Sequence, residues 1–224
     1  MSVYMTEEEQ LENIKKWWKR HQSVITTILS VVLIVVAGYR YWNWHVEKTT
    51  QQASIAYENM MISVSTHDDK STQSYANQLV KNHEHTMYAT AAHLTLAKVY
   101  VSAKNYPKAR EELEHVAHHS KNASLKAVGT IRLARLLLSE QHYDNALTEL
   151  ASLDSPTYAP VINELKGDIF SAKGEYAKAE ASYETAVKDG QLKGVYNRFL
   201  VMKHDAVAMM IDPKLASRAT SQVG

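Results

Sequence analysis

The sequence predicts an all-α chain, with one membrane-spanning helix near the amino terminus followed by a solenoid of paired helices. Three observations carry that prediction. Gln22 to Tyr39 is a run of 18 residues without a charge; only 7 glycines and 4 prolines punctuate 224 residues; and tyrosines at 106, 143 and 176 each open a similar pattern of small and apolar positions. A sheet protein needs turn residues every ~10 positions, which this composition does not supply. Cysteine is absent, so disulfides, thiolate metal sites and cysteine nucleophiles are excluded. The formal charge of +1 gives no general attraction to phosphates, and no nucleic-acid partner is expected.

The uncharged run, QSVITTILSVVLIVVAGY, lies between Lys19 and Arg20 on one side and Arg40 on the other. All four tryptophans stand at its ends, Trp17 and Trp18 before it, Trp42 and Trp44 after it, with Tyr39 and Tyr41 beside them. Rings placed this way mark the two faces of a bilayer. From Trp18 to Tyr39 a helix rises ~32 Å, close to the ~30 Å hydrocarbon core. A cleaved signal peptide is the competing reading, with Val35 and Ala37 ahead of a cleavage point at Gly38. The apolar region is longer than a usual signal, and retained aromatic flanks suit an anchor. Lys15, Lys16, Lys19 and Arg20 precede the span, against Arg40 and Lys48 after it. The positive-inside rule then predicts a cytoplasmic amino terminus, because acidic residues such as Glu7, Glu8, Glu9 and Glu12 weigh little in it. The expected division is a cytoplasmic segment 1–20, a membrane helix 21–44, a domain 45–211 outside the cytoplasm and a flexible tail 212–224.

Beyond residue 48 basic and acidic side chains are equal in number, so no charged partner is implied. The clearest repeat is Gly167, Phe170, Gly174, Tyr176, Ala179, Tyr183 and Ala186, which resembles the tetratricopeptide repeat, a helix pair of ~34 residues. Looser copies are Ala97, Tyr100, Tyr106, Ala109 and Leu113, then Ala134, Leu137, Tyr143, Ala146 and Leu150. Small residues let two antiparallel helices approach, while aromatic and leucine side chains fill the space between pairs. Ala97 is therefore expected to face Ala109, Ala134 to face Ala146, and Gly167 to face Ala179. Such units bury their apolar faces only by stacking.

Upstream, Ala53 to Val64 and Ser74 to Asn82 read as a degenerate first pair across the polar break His67 to Lys70. Asn105 is a plausible cap with Pro107 in the first turn that follows, and Asp154 to Pro160 marks a turn between pairs. The expected pairs are about 51–85, 88–120, 125–155 and 158–190. Leu192 to Met210, apolar at Val195, Phe199, Leu200 and Met202, is expected to cap the last open face.

Residues that carry chemistry are few. His115, His118 and His119, with Glu111, Glu112 and Glu114 a turn earlier, could hold a metal on one helix face. No HExxH pattern accompanies them, so a solvated helix end is the favoured reading. Phosphate-binding glycine loops, dinucleotide fingerprints and nucleophile elbows are missing. The chain is read as a non-enzyme without cofactor or metal. The remaining functional surface is the face formed by the first helix of each pair: Leu94, Lys98 and Val101, then Val128, Ile131, Arg135 and Leu138, then Val161, Glu164 and Asp168, the apolar members of which fit a core position as well as a binding one. Lys98, Arg135 and Asp168 occupy the register position where a carboxylate clamp of this repeat class would begin with asparagine, which argues against such a clamp.

The opening EEEQLENIKKWWKRH, the aromatic-flanked span, the segment GEYAKAEASYETAV and the late LVMKHDAVA follow one another as in the YfgM family, ancillary subunits of the bacterial Sec translocon, which the whole chain resembles. The resemblance implies a single-pass type II protein of the inner membrane with a periplasmic carboxy-terminal domain. It also implies the SecYEG translocon, a membrane-anchored periplasmic chaperone of the prolyl-isomerase type, translocating polypeptides and membrane lipid as partners. Two other readings stand beside it. One is a cytosol-facing import receptor, which needs the opposite topology. The other is a scaffold that regulates a cytoplasmic signalling protein through Met1 to Arg20. The residues set no oligomeric state.

Overall fold

The computed structural model describes residues 7–192, 194 and 197–212. Every regular element among them is a helix: α1 (Glu7–Ser65), α2 (Asp69–Asn82), α3 (Met87–Ser102), α4 (Tyr106–His119), α5 (Ala123–Ser139), α6 (Tyr143–Ala151), α7 (Ala159–Ala172), α8 (Tyr176–Leu192) and α9 (Arg198–Ile211), with a short 3₁₀ turn at Pro156–Tyr158. The chain divides into two compact units, one up to Gln52 and one from Ala53 onward. Among the described residues the first is α1 from residue 7 to residue 52, which contains the uncharged run.

In the second unit each helix from α2 onward packs on the next, and the first helices of neighbouring pairs also meet, α3 on α5 and α5 on α7. Contacts between elements close in sequence are the signature of a stacked repeat. The packing follows the small-residue positions. Ala97, Ala109, Ala134 and Ala146 are all buried in one cluster with Leu113, Leu133, Leu137 and Leu150. At the amino-terminal end Ala53, Ala56 and Met60 of α1 share a cluster with Ala76, Leu79, Ala92 and Leu96.

One turn recurs four times and explains why the pairs are alike although their sequences are not. The first helix of each pair ends in a residue with positive φ: His67 (57°), Lys104 (57°), Gln141 (64°) and Gly174 (77°). The amide of the next residue then bonds back to a carbonyl of the preceding turn: Asp68 to Ser63 (3.0 Å), Asn105 to Tyr100 (2.8 Å), His142 to Leu137 (2.8 Å) and Glu175 to Phe170 (2.9 Å). This left-handed cap satisfies carbonyls that a helix end leaves without partners. Asp68 and Asn105 also cap the following helix, accepting from the amides of Ser71 and Lys108. The degenerate first pair thus closes like the strongest repeat.

Several expectations need correction. The polar break ends at Asp68, because its side chain starts α2 at Asp69, within the predicted break. Pro160 lies inside the first turn of α7, where its missing amide costs nothing. The predicted cap helix does not run from Leu192. The preceding helix α8 takes that residue, Gly194 adopts φ 69°, and Asn197 starts α9 by accepting from the amides of Phe199 and Leu200. On α9 the buried positions are Leu200 and Val207, whereas Phe199 and Met202 are exposed. Val195 and the expected tail from residue 213 lie outside the described residues. A Cβ built on Gly167 meets the Tyr183 ring at 2.5 Å, so the glycine makes room for that ring. Gly129 does the same for Val116 of α4, also at 2.5 Å.

Candidate functional site

Within the first unit, α1 contains a stretch long and apolar enough to cross a membrane, with a mean hydropathy of 2.0 over its best window and none of that window buried. The polar residues of the span carry their own solution: the hydroxyls of Thr26, Thr27 and Ser30 donate to the carbonyls of Gln22, Ser23 and Thr26 at 2.7–2.8 Å. Side chains satisfied on their own backbone can enter hydrocarbon without an unmet bond. Trp17, Trp18, Tyr39, Tyr41, Trp42 and Trp44 are all exposed, and the Lys48 ammonium lies 5.1 Å above the Trp44 ring. Lys15, Lys16, Lys19 and Arg20 are exposed as well, Lys16 pairing with Glu12 at 3.2 Å.

The ten residues expected to form a binding face in the second unit divide into three groups. Leu94 and Ile131 are buried core residues, and Val128, Leu138 and Val161 pack against that core half-buried. These five stabilise the stack, which corrects the assignment of Leu94 and Ile131 to a surface. Lys98, Val101 and Arg135 are exposed. Lys98 borders a cleft of about 280 Å³ with His67, Asp69, Thr72 and Ser102. Glu164 and Asp168 are already engaged by α9: Lys203 Nζ donates to Glu164 Oε1 (2.9 Å) and to Asp168 Oδ1 (2.8 Å) and Oδ2 (2.9 Å). Tyr183 Oη donates to the same Asp168 at 2.7 Å.

This network locks the last helix to the fourth pair. Burial opposes the charge on Lys203, but the bonds from Asp168 and Glu164 outweigh it and hold its ammonium above lysine's ordinary 10.5. Burial and then the Asp168 carboxylate push the Tyr183 phenol well above its ordinary value. Because the folded value of Lys203 is raised, its contribution is complete below the unfolded value and is lost only as pH rises through the folded one. Lys203→Met is expected to cost about 1 kcal/mol, the partly exposed setting keeping the pair near the surface range. Hydrogen exchange should show faster opening of α9 while α3–α6 keep their protection.

At the end of α4, His118 and His119 are exposed and His115 is half-buried. His118 is drawn to Glu149 of α6, 3.6 Å away. His115 stacks on His93 of α3 with ring centres 4.0 Å apart, and His119 stacks on His115 at 5.0 Å. His93 Nδ1 is 2.6 Å from Glu112 Oε2, while its Nε2 is buried without a hydrogen-bond partner. Burial, followed by the neighbouring His93 and His119, lowers the His115 value below the ordinary 6.5, although Glu112 and Glu84 pull the other way. Among the described residues no three ligating side chains form a metal site. His93 was missed in the sequence because it sits within AAHLTLA, where alanine and leucine neighbours set the helical pattern. Links across the stack were missed for another reason: Arg110–Glu140 (2.7 Å) and Lys173–Asp144 (2.7 Å) between pairs, and Asn163–Asp189 (3.0 Å) within the fourth, join positions 26 to 30 residues apart, a separation no local pattern encodes.

A stack of helix pairs with one repeated left-handed turn, small residues at each close approach and a single apolar helix ahead of it defines a helical-repeat protein of the tetratricopeptide class. Consistently, residues 15–209 match the model of the tetratricopeptide repeat-like domain, and the chain belongs to that family. Similar proteins named ancillary SecYEG translocon subunit occur in Aggregatibacter actinomycetemcomitans, 32% identical over 83% of this chain and 91% of that one, and in Escherichia coli K12, 28% identical over 84% and 90%. A third, from Neisseria gonorrhoeae, is 27% identical over 92% of this chain and all of its own length.

Proposed function

We propose that this chain is an ancillary subunit of the SecYEG translocon: a non-catalytic helical-repeat module tethered to the inner membrane, with the repeats in the periplasm. The observation that carries the reading is the match to relatives of that name over nearly their whole length. The aromatic-flanked apolar helix supports the tether, and the excess of Lys15, Lys16, Lys19 and Arg20 on one side supports the orientation. Tethering supplies effective concentration. A weakly binding domain held beside an exit pore meets each emerging chain repeatedly, so a modest affinity suffices. Exposed Lys98, Val101 and Arg135 are the residues of the first-helix face left available for such contacts, to translocating polypeptides or to a membrane-anchored prolyl-isomerase-type chaperone.

The test is purification of the tagged full-length chain from membranes in a mild detergent, with quantification of SecY. Retention of SecY with the wild type, and of the chaperone lost on combined Lys98→Glu and Arg135→Glu substitution, is the expected result. Absence of SecY from the wild-type preparation contradicts the reading.

A further inference from the structure

We propose that the column His93–His115–His119 is an acid-operated seam, closed at neutral pH, whose proton uptake separates the amino-terminal half of α3 from the carboxy-terminal half of α4. The column crosses the interface between two helices of one repeat, and its rings stand 4.0 and 5.0 Å apart. Neutral imidazoles stack at such distances; imidazolium ions repel there. Glu112, bonded to His93 at 2.6 Å, is the one carboxylate with a hydrogen bond into the column among the described residues. It can balance one added charge, not two or three. The seam borders a cleft of about 540 Å³, into which Glu84 and His85 face from the turn between α2 and α3, His119 from α4, Lys121 from the segment after it and Asn122 from the start of α5. Glu84 is thus the second acidic group near the column, and its pull on His115 is weaker than the opposing effects of burial and the neighbouring rings.

The lowered value of His115 supports the same direction. A group that binds its proton less tightly in the closed form than in the opened one favours opening as pH falls below its ordinary value. The stability of this interface is therefore full at neutral pH and declines through the range in which histidine titrates. The consequence is local, because α7 and α8 contain no histidine. The physiological setting, an envelope compartment exposed to the acidity of the surroundings, rests on the function proposed above; the seam itself does not.

The test is hydrogen exchange on the full-length chain in detergent micelles at about pH 7.5 and about pH 5.5, corrected for intrinsic exchange. Peptides covering 87–95 and 112–120 are expected to lose about tenfold more protection in acid than α7 and α8. His115→Phe keeps an aromatic ring in the column without a titrating nitrogen, and should abolish the difference. Equal loss across all helices, or a full acid response in His115→Phe, overturns the proposal. Should that variant fail to fold, proton NMR of the wild type decides: His115 titrating below free histidine, together with acid shifts confined to α3 and α4, supports the seam, and titration at the free value contradicts it.

Discussion

Gly167→Val is expected to destabilise the repeat domain by about 3 kcal/mol, the upper end of the overpacking range. An alanine in mid-helix would otherwise be favoured over glycine by roughly 0.5–1 kcal/mol, and valine by less. The site reverses that sign. A Cβ at 167 falls 2.5 Å from two carbons of the Tyr183 ring and 2.9 Å from a third. That ring cannot yield, since it is buried and its hydroxyl is held by Asp168 at 2.7 Å. The strain is therefore transmitted to Asp168, and through it to Lys203 and α9. Thermal unfolding of Gly167→Val in the wild-type background and in Tyr183→Ala measures the coupling. A cost that largely disappears when Tyr183 is truncated identifies the ring as its cause; an equal cost in both backgrounds contradicts the account.

The anchor carries the larger effect. Val31→Arg combined with Ile34→Arg puts two charges on one face near the centre of the uncharged run. Each costs about 2.5–3.5 kcal/mol at the middle of a membrane helix, so together they remove about 5–7 kcal/mol of insertion energy. The variant should leave the alkaline-resistant membrane fraction, whereas Ile55→Arg, at an exposed position within the second unit, should not. Retention of the double variant in the membrane would mean that something other than this helix holds the protein there.

How much was legible varied with how local the signal is. The membrane helix needs only composition and flanking rings, both present in a single stretch of sequence. The fourth pair was readable because Gly167, Gly174 and Tyr183 state its close approach and its turn directly. The first pair was harder, since its turn uses His67 in a left-handed conformation that glycine usually takes, and Lys104 and Gln141 do the same in the next two pairs. Those residues betray nothing by type; the helix packing around them imposes the conformation. The binding face suffered from the same cause. Period alone put Leu94 and Ile131 beside Lys98 and Arg135, but the rotation of each first helix turned those two into the core and left Val101 exposed. Lys203 reaches Glu164 and Asp168 across 39 and 35 residues, and only the stacked fold brings them together.

The central claim is that the repeats stand outside the cytoplasm on a membrane tether. Because the chain has no cysteine, one can be introduced at a time. Ser2→Cys and Ala219→Cys, each in an otherwise native chain, are exposed in intact cells to a thiol reagent that passes the outer but not the inner membrane. Labelling at 219 and protection at 2, with the protein in the membrane fraction, is the predicted result. Labelling at 2 with protection at 219 would place the repeats in the cytoplasm and contradict the account.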